Sequence, residues 1–496
     1  MQPMILSVDQ GTTNTKGLLV GVDGRPVFRT SSPITLLHPE PGFAEQDPEA
    51  IWRSVQSVIR ECLAFVGSRQ SYAIVGIAVS NQRETAVAWE RRTGKPIASA
   101  ISWQCRRSEK LCADLRGYAK LFRARSGLPL DPLVSASKWA WLIQKTAGLA
   151  ERATAGEICF GTIDSWLIYL LTGGAAHACD ASNASRTGLL NLQSASWDIE
   201  LLAMFGIPIQ ALPEIRPSSS VFGSCTTISG LDEIPIVAAV GDSHAALIGH
   251  GSPRPGTVKA TYGTGSSLMM LTPSPPAPDE RLASTVAWSV GSTVQYAFEG
   301  NISMAGSAVQ WVGEFLGLED PVRDTLALAN TVQDASTVLF VPAMAGLAAP
   351  YWNSSARGTI SGLDATSTSA HLARAAIDAI AFQVRDVFEA MEQAACAPLL
   401  SLHADGGATS NDQLMQFQAD MLGRPVNRSA CEDLSALGAA WLGGLTLGWW
   451  PSLADFASLT EAPTVFSPRL SLAVSEARYR SWQIAVQRTL LHAGEE

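Results

Sequence analysis

The sequence predicts an α/β protein built as two similar domains, and three observations predict it. At 496 residues the chain exceeds the roughly 250–300 at which a single hydrophobic core stops growing. Apolar runs of strand length alternate with helix-periodic segments from end to end, the pattern of α/β layering. An apolar strand, a Gly/Thr/Ser turn and a second apolar strand also occur once in each half, as ILSVDQGTTNTKGLLV at 5–20 and TVKATYGTGSSLMML at 257–271.

In chain order, residues 5–8 and 17–20 read as strands joined by a hydroxyl-rich turn, Asp9-Gln10-Gly11-Thr12-Thr13-Asn14. A helix follows over 48–66 and a strand over 74–80, with further helices at 138–146 and 162–171. A buried strand at 236–240 runs into Gly241-Asp242-Ser243-His244 and a short helix at 245–248. The boundary between lobes is placed there, giving 1–246 and 247–496, with a linker at 252–256. The second lobe opens with a strand at 258–262 that ends in Gly263-Thr264-Gly265-Ser266-Ser267. Leu372, Ala376, Ile377, Ile380, Val384, Val387 and Met391 share one face of a long helix and read as core. A strand at 399–404 then opens onto Asp405-Gly406-Gly407-Ala408-Thr409-Ser410-Asn411 and a helix reaching Leu422.

Composition removes several classes. A net charge of −10 disfavours a surface that tracks phosphate backbones, so nucleic acid is not an expected partner. No run approaches the roughly 20 apolar residues of a membrane span, and the N-terminus lacks the pattern of a secretory signal. A cytoplasmic protein is expected. The 8 cysteines include no C-x-x-C pair and read as reduced thiols without zinc.

Three glycine turns, each following a strand, aim backbone N–H groups and hydroxyls at phosphate oxygens without obstruction from Cβ atoms. None is a P-loop or a dinucleotide fingerprint. Asp9 at the mouth of the first turn suits Mg²⁺ through water, and Lys16 suits a terminal phosphate; the plainer alternative is a turn-stabilising Asp and a solvated Lys. Asp242 ends a strand and precedes a helix. That position fits either an N-cap, worth roughly 1 kcal/mol, or a base that accepts a proton from an attacking hydroxyl. Arg83 and Glu84 follow the strand at 74–80, where α/β sheets place ligands, and offer a donor beside an acceptor for a polyhydroxy substrate, or else form a solvated pair. Trp103 suits an apolar wall for a sugar face, or else is a core aromatic.

Taken with NQRETAVAWERRTGKPI at 81–97, FGTIDSWLIYLLTGG at 160–174, NASRTGLLNL at 183–192, FVPAMAGLAAPYW at 340–352 and DGGATSNDQLMQFQADMLGRPV at 405–426, the chain resembles the FGGY carbohydrate kinases, and within them the glycerol kinases. The resemblance implies two actin-like, RNase-H-like lobes with ATP in the cleft, Mg²⁺-assisted phosphoryl transfer to a small polyol or sugar, and a homodimer or homotetramer. It assigns Asp242 as general base, with Asp9 and Asp242 at the metal. Arg83, Glu84, Trp103 and Asp242 then line the substrate pocket. Thr12, Thr13, Asn14, Lys16, Thr264, Gly265, Gly306, Gln310, Gly407, Ala408 and Asn411 surround ATP. The sequence departs from that pattern where the family has Arg, here Lys16, and where its Tyr, Gln and Phe contact glycerol, here Leu133, Ser243 and Ser267. The smaller side chains suit a four- or five-carbon polyol or ketose better than glycerol. A nucleotide-driven actin-like ATPase without a small-molecule acceptor is the remote alternative.

Overall fold

The computed structural model describes residues 1–69, 71–251 and 254–491. Two sheets organise it. The first runs, in spatial order, through strands Ile236–Gly241, Tyr72–Asn81, Gln2–Gln10, Asn14–Gly21 and Pro26–Pro33. Gln2–Gln10 is antiparallel to Asn14–Gly21 and parallel to Tyr72–Asn81, which is itself parallel to Ile236–Gly241. The second contains Thr293–Ile302, Ser266–Thr272, Thr257–Tyr262, Ser401–Asp405 and Val426–Arg428 in the same third-second-first-fourth-fifth order, with the same pattern of parallel and antiparallel pairs. Strands Ala283–Val290 and Thr464–Phe466 extend its two edges. The repeat seen in two short segments is thus a duplication of whole sheets.

Side-chain alternation covers both faces of the first sheet. Leu6, Val8 and Leu19 point into one core with Ile51, Val55, Ile59 and Cys62 of helix Pro48–Gly67. That helix starts where expected because Asp47 caps it, accepting the Glu49 N–H at 2.9 Å, and Pro48 presets the first turn. Ile5, Leu18, Val20 and Ala78 point the other way, into a core with Ala245, Leu437, Ala440 and Trp441.

The last three belong to helix Leu434–Thr446, so a helix from the C-terminal half covers the N-terminal sheet. Ser7 Oγ donates to the Ala436 carbonyl at 2.6 Å and Trp441 Nε1 to the Gly24 carbonyl at 2.9 Å. Helix Leu434–Thr446 also crosses helix Asp242–Gly249 with almost nothing between the backbones: a Cβ on Gly438 would lie 1.9 Å from the Ala245 carbonyl oxygen.

Most expected elements agree with the structure to within a few residues. The strand at 74–80 is Tyr72–Asn81 and the core helix is Ser369–Ala395. The short helix at 245–248 begins three residues earlier, at Asp242. Of the linker at 252–256, residues 252 and 253 lie outside the described residues, and Arg254 to Thr257 form a turn closed by the Thr257 N–H to the Arg254 carbonyl at 3.1 Å.

Candidate active site

The ends of the N-terminal strands converge on one polar cluster. Asp9 stands one residue before the end of the first strand and is paired across the ladders with Lys16 on one side and Ser80 on the other. Ser80 Oγ donates to its carboxylate at 2.9 Å. Burial pushes Asp9 up to about 6, opposed by the Lys16 ammonium and reinforced by the charge of Asp242. Two carboxylates close enough to oppose each other's ionisation are hard oxygen donors of the kind that suits Mg²⁺. Lys16 is held from the other half of the chain, 2.8 Å from Asp433. In the turn itself Thr13 and Asn14 are exposed, and Thr12 accepts from Trp103 Nε1 at 2.9 Å.

Asp242 opens its helix but does not cap it. Gly241 takes the cap position, so the N-cap alternative fails; the carboxylate accepts from the Ser243 N–H at 2.6 Å and turns toward Arg83, whose Nε lies 3.2 Å away. Its side chain is 36% exposed while Arg83 is 8% exposed, so the carboxylate is the open end of the pair. Burial raises the Asp242 pKa and the Arg83 guanidinium opposes that. The joint is braced from behind: Gly241 N–H donates to Ser182 Oγ at 3.0 Å, and Asn183 and Asn81 exchange amide hydrogen bonds at 2.9 and 3.1 Å.

Arg83 and Glu84 do not pair with each other. Glu84 stands at φ +60°, a strained region for a residue other than glycine, and sends its carboxylate the opposite way. Its carbonyl accepts from Ser135 Oγ at 3.0 Å and Lys138 Nζ at 3.2 Å, and its carboxylate takes Arg186 Nε at 2.5 Å. Arg83 Nη1 reaches Glu299 of the second sheet at 2.8 Å, and Arg186 Nη1 lies 2.9 Å from the same carboxylate. Burial alone would raise the Glu299 pKa; Arg186 and Arg83 together hold it far below the usual range. Lys259, also fully buried, donates to Ser243 Oγ at 2.8 Å. Glu299, Arg186 and Lys259 are absent from the residues expected at the site. Glu299 and Lys259 did carry a signal, being single charges inside the apolar strands AFEGNI and TVKATY, where an ion is tolerated only with a partner.

The second sheet supplies neutral turns. The Thr264 carbonyl accepts the N–H groups of Ala305 and Ser307 at 2.9 and 3.1 Å, and the Gly306 N–H donates to the Gly263 carbonyl at 3.0 Å, which seats helix Gly306–Phe315 on the turn. A Cβ on Gly265 would lie 2.4 Å from the Ile302 carbonyl oxygen. Gly406, at φ +95°, turns the chain against Tyr262, and Gly407 to Ser410 form one short turn containing Ala408. The Asn411 side chain caps helix Asp412–Leu422, accepting from Gln413 and Leu414 N–H groups at 3.0 and 3.1 Å. Gln310 is exposed and bonds Glu314 at 2.8 Å. Leu133 is half-buried, its carbonyl taken by Lys138.

A half-open carboxylate held by a buried arginine at the strand ends of one sheet, with glycine turns after the strands of both duplicated sheets, is the arrangement of a two-lobed phosphotransferase. The family models for the N-terminal and C-terminal domains of the FGGY family of carbohydrate kinases match residues 4–249 and 258–447. The chain belongs to that family and is an ATP-dependent kinase of a polyol or sugar. It is 45% identical to the apulose kinase of Pectobacterium atrosepticum, covering 99% of each chain, and 46% identical to the glycerol kinase of Trichlorobacter lovleyi, covering 98% of each. Among solved structures it is similar to Plasmodium falciparum glycerol kinase with ADP, with a TM-score of 0.91 at 31% identity, covering 99% of this chain and 98% of that one. The xylulose kinase of Rhodospirillum rubrum gives 0.86 at 26%, covering 99% and 100%.

Proposed function

We propose that the acceptor is a four- or five-carbon polyol or ketose and that Asp242 is the general base of its phosphorylation. The observation that carries the base assignment is the Asp242–Arg83 contact, which leaves one carboxylate oxygen face open at the head of a helix. The acceptor hydroxyl attacks the γ-phosphorus as its proton passes to Asp242, and the bond to the bridging oxygen breaks with its electron pair remaining on ADP. Burial raises the proton affinity of Asp242, and the Arg83 guanidinium opposes that rise by favouring the carboxylate.

Residues 1–246 would supply the acceptor pocket and the first phosphate turn, and residues 247–496 most of the nucleotide contacts. Arg83, Glu84 and Trp103 would orient the acceptor; Thr12, Thr13, Asn14, Lys16, Thr264, Gly265, Gly306, Gln310, Gly407, Ala408 and Asn411 would surround ATP. Asp9 and Asp242 would hold Mg²⁺, which neutralises phosphate charge when bound. Leu133, Ser243 and Ser267 support the longer acceptor because each is smaller than the Tyr, Gln or Phe of the family's pattern; relatives named apulose kinase and glycerol kinase are 45% and 46% identical. The 8 free cysteines, 6 of them buried, fit a reducing cytosol, the setting proposed for a homodimer or homotetramer.

Coupled ADP release with Mg·ATP across glycerol, erythritol, threitol, xylitol, ribitol, erythrulose, xylulose and ribulose, with a no-acceptor control, tests the acceptor. A higher kcat/KM for a longer acceptor is expected; glycerol giving the highest value would overturn the reading.

A further inference from the structure

Two of the four departures from the family pattern, Ser243 and Ser267, are joined to each other. Lys259 Nζ donates to Ser243 Oγ at 2.8 Å, Ser243 Oγ donates to Ser267 Oγ at 2.8 Å, and Ser267 Oγ donates to Glu299 Oε1 at 2.9 Å. The direction of this ladder is fixed at both ends. An ammonium has only donors, and an ionised carboxylate has only acceptors. Glu299 stays ionised because Arg186 and Arg83 outweigh its burial. Both serine protons are therefore committed, one to Ser267 and one to Glu299, and each hydroxyl has only a lone pair left for anything else.

The ladder also closes into a ring around the candidate base. Ser243 follows Asp242 in the chain, Asp242 contacts Arg83, and Arg83 contacts the same Glu299 that ends the ladder. Ser243 is 7% exposed and Ser267 is half-buried, and the ladder passes through the residue that follows Asp242 in the chain.

We propose that Ser243 and Ser267 are specificity-determining residues that read a second hydroxyl of the acceptor, apart from the one phosphorylated, as a hydrogen-bond donor. This rests on the longer-acceptor reading. The substrate class is narrowed to acceptors with a free hydroxyl at that place; a carboxylate or carbonyl there meets lone pairs and cannot reverse the ladder without stripping a proton from Lys259 or adding one to Glu299. A ketose fits only with its carbonyl placed elsewhere.

The test measures kcat and KM for glycerol, xylitol and ribitol, the 5-deoxy counterparts of the two pentitols, and xylonate and ribonate, on the unaltered protein, Ser267→Ala, Ser243→Ala and Ser267→Thr, with ADP binding recorded for each variant as a check on folding. The unaltered protein is expected to prefer the better pentitol to its deoxy form by about 10-fold and to reject the aldonate more strongly. Ser267→Ala and Ser243→Ala are expected to bring the pentitol-to-deoxy ratio within about 2-fold through KM rather than kcat, and Ser267→Thr, which keeps the hydroxyl, to restore it. An unchanged ratio in folded Ser267→Ala and Ser243→Ala, or equal use of aldonate and pentitol, overturns the proposal. If glycerol outperforms every longer acceptor, the longer-acceptor reading falls and this proposal with it; if a pentitol leads while the alanine variants keep the ratio, only the ladder falls.

Discussion

In the N-terminal lobe the turn after the first strand lies between Asp9 and Lys16, whereas in the C-terminal lobe the matching turn, Gly263-Thr264-Gly265, has no charged residue within it. The joints from last strand to helix differ in a second way. Asp242 is 36% exposed and gripped by an arginine of its own lobe; Asp433, just ahead of the matching helix, is 13% exposed and neutralised by Lys16 from the other lobe. The same strand order therefore carries an open carboxylate in one copy and a closed one in the other. Duplication supplies the frame, and the two aspartates differ in exposure and in the cation that meets them.

The comparison breaks most sharply at Asp242. Asp242→Asn is expected to lower kcat about 10²–10⁴-fold while ADP affinity, measured by titration calorimetry, stays within a few-fold. Retention of most of the turnover would move the base elsewhere. The pH profile sharpens the same point. Because the base works ionised and its pKa is raised, kcat/KM should fall on acidification at a pH above the ordinary aspartate value of 3.8.

Across the lobes, Arg186→Met leaves Glu299 and Glu84 each short of a guanidinium in a buried setting. It is expected to cost about 3–5 kcal/mol, read from the urea midpoint. Gly438→Ala places a methyl carbon against the Ala245 carbonyl and should cost about 1–3 kcal/mol, read as a drop in Tm. The smallest effect belongs to the neutral turn. Thr264→Ala removes one hydroxyl from the proposed phosphate contacts, about 0.5–1.5 kcal/mol, seen as a raised KM for ATP with kcat nearly constant.

Much of the frame was legible because it is written locally. Apolar runs of strand length mark the central strands of each sheet, and the helix read over 48–66 is Pro48–Gly67. The site was legible only in its membership. Arg83 and Glu84 stand side by side in the chain and read as a pair, yet their partners are Glu299 and Arg186, more than 100 residues away, and a left-handed backbone at Glu84 turns the two side chains apart. Periodicity carries no record of such choices. Asp242 is ambiguous for a similar reason, since cap and base require the same residue at the same joint, and Gly241 removes only the cap by occupying that position.

The placement of helix Leu434–Thr446 on the first sheet has a consequence for synthesis. A ribosome delivers residues 2–241, the whole of that sheet, long before the helix that covers one of its faces. Until then Ile5, Leu18, Val20 and Ala78 have no lid, and the nascent lobe presents a sticky apolar surface to its surroundings. The N-terminal lobe is thus complete in its strands yet unfinished as a folding unit, and truncating the chain before Leu434 removes the cover of a core some 400 residues upstream.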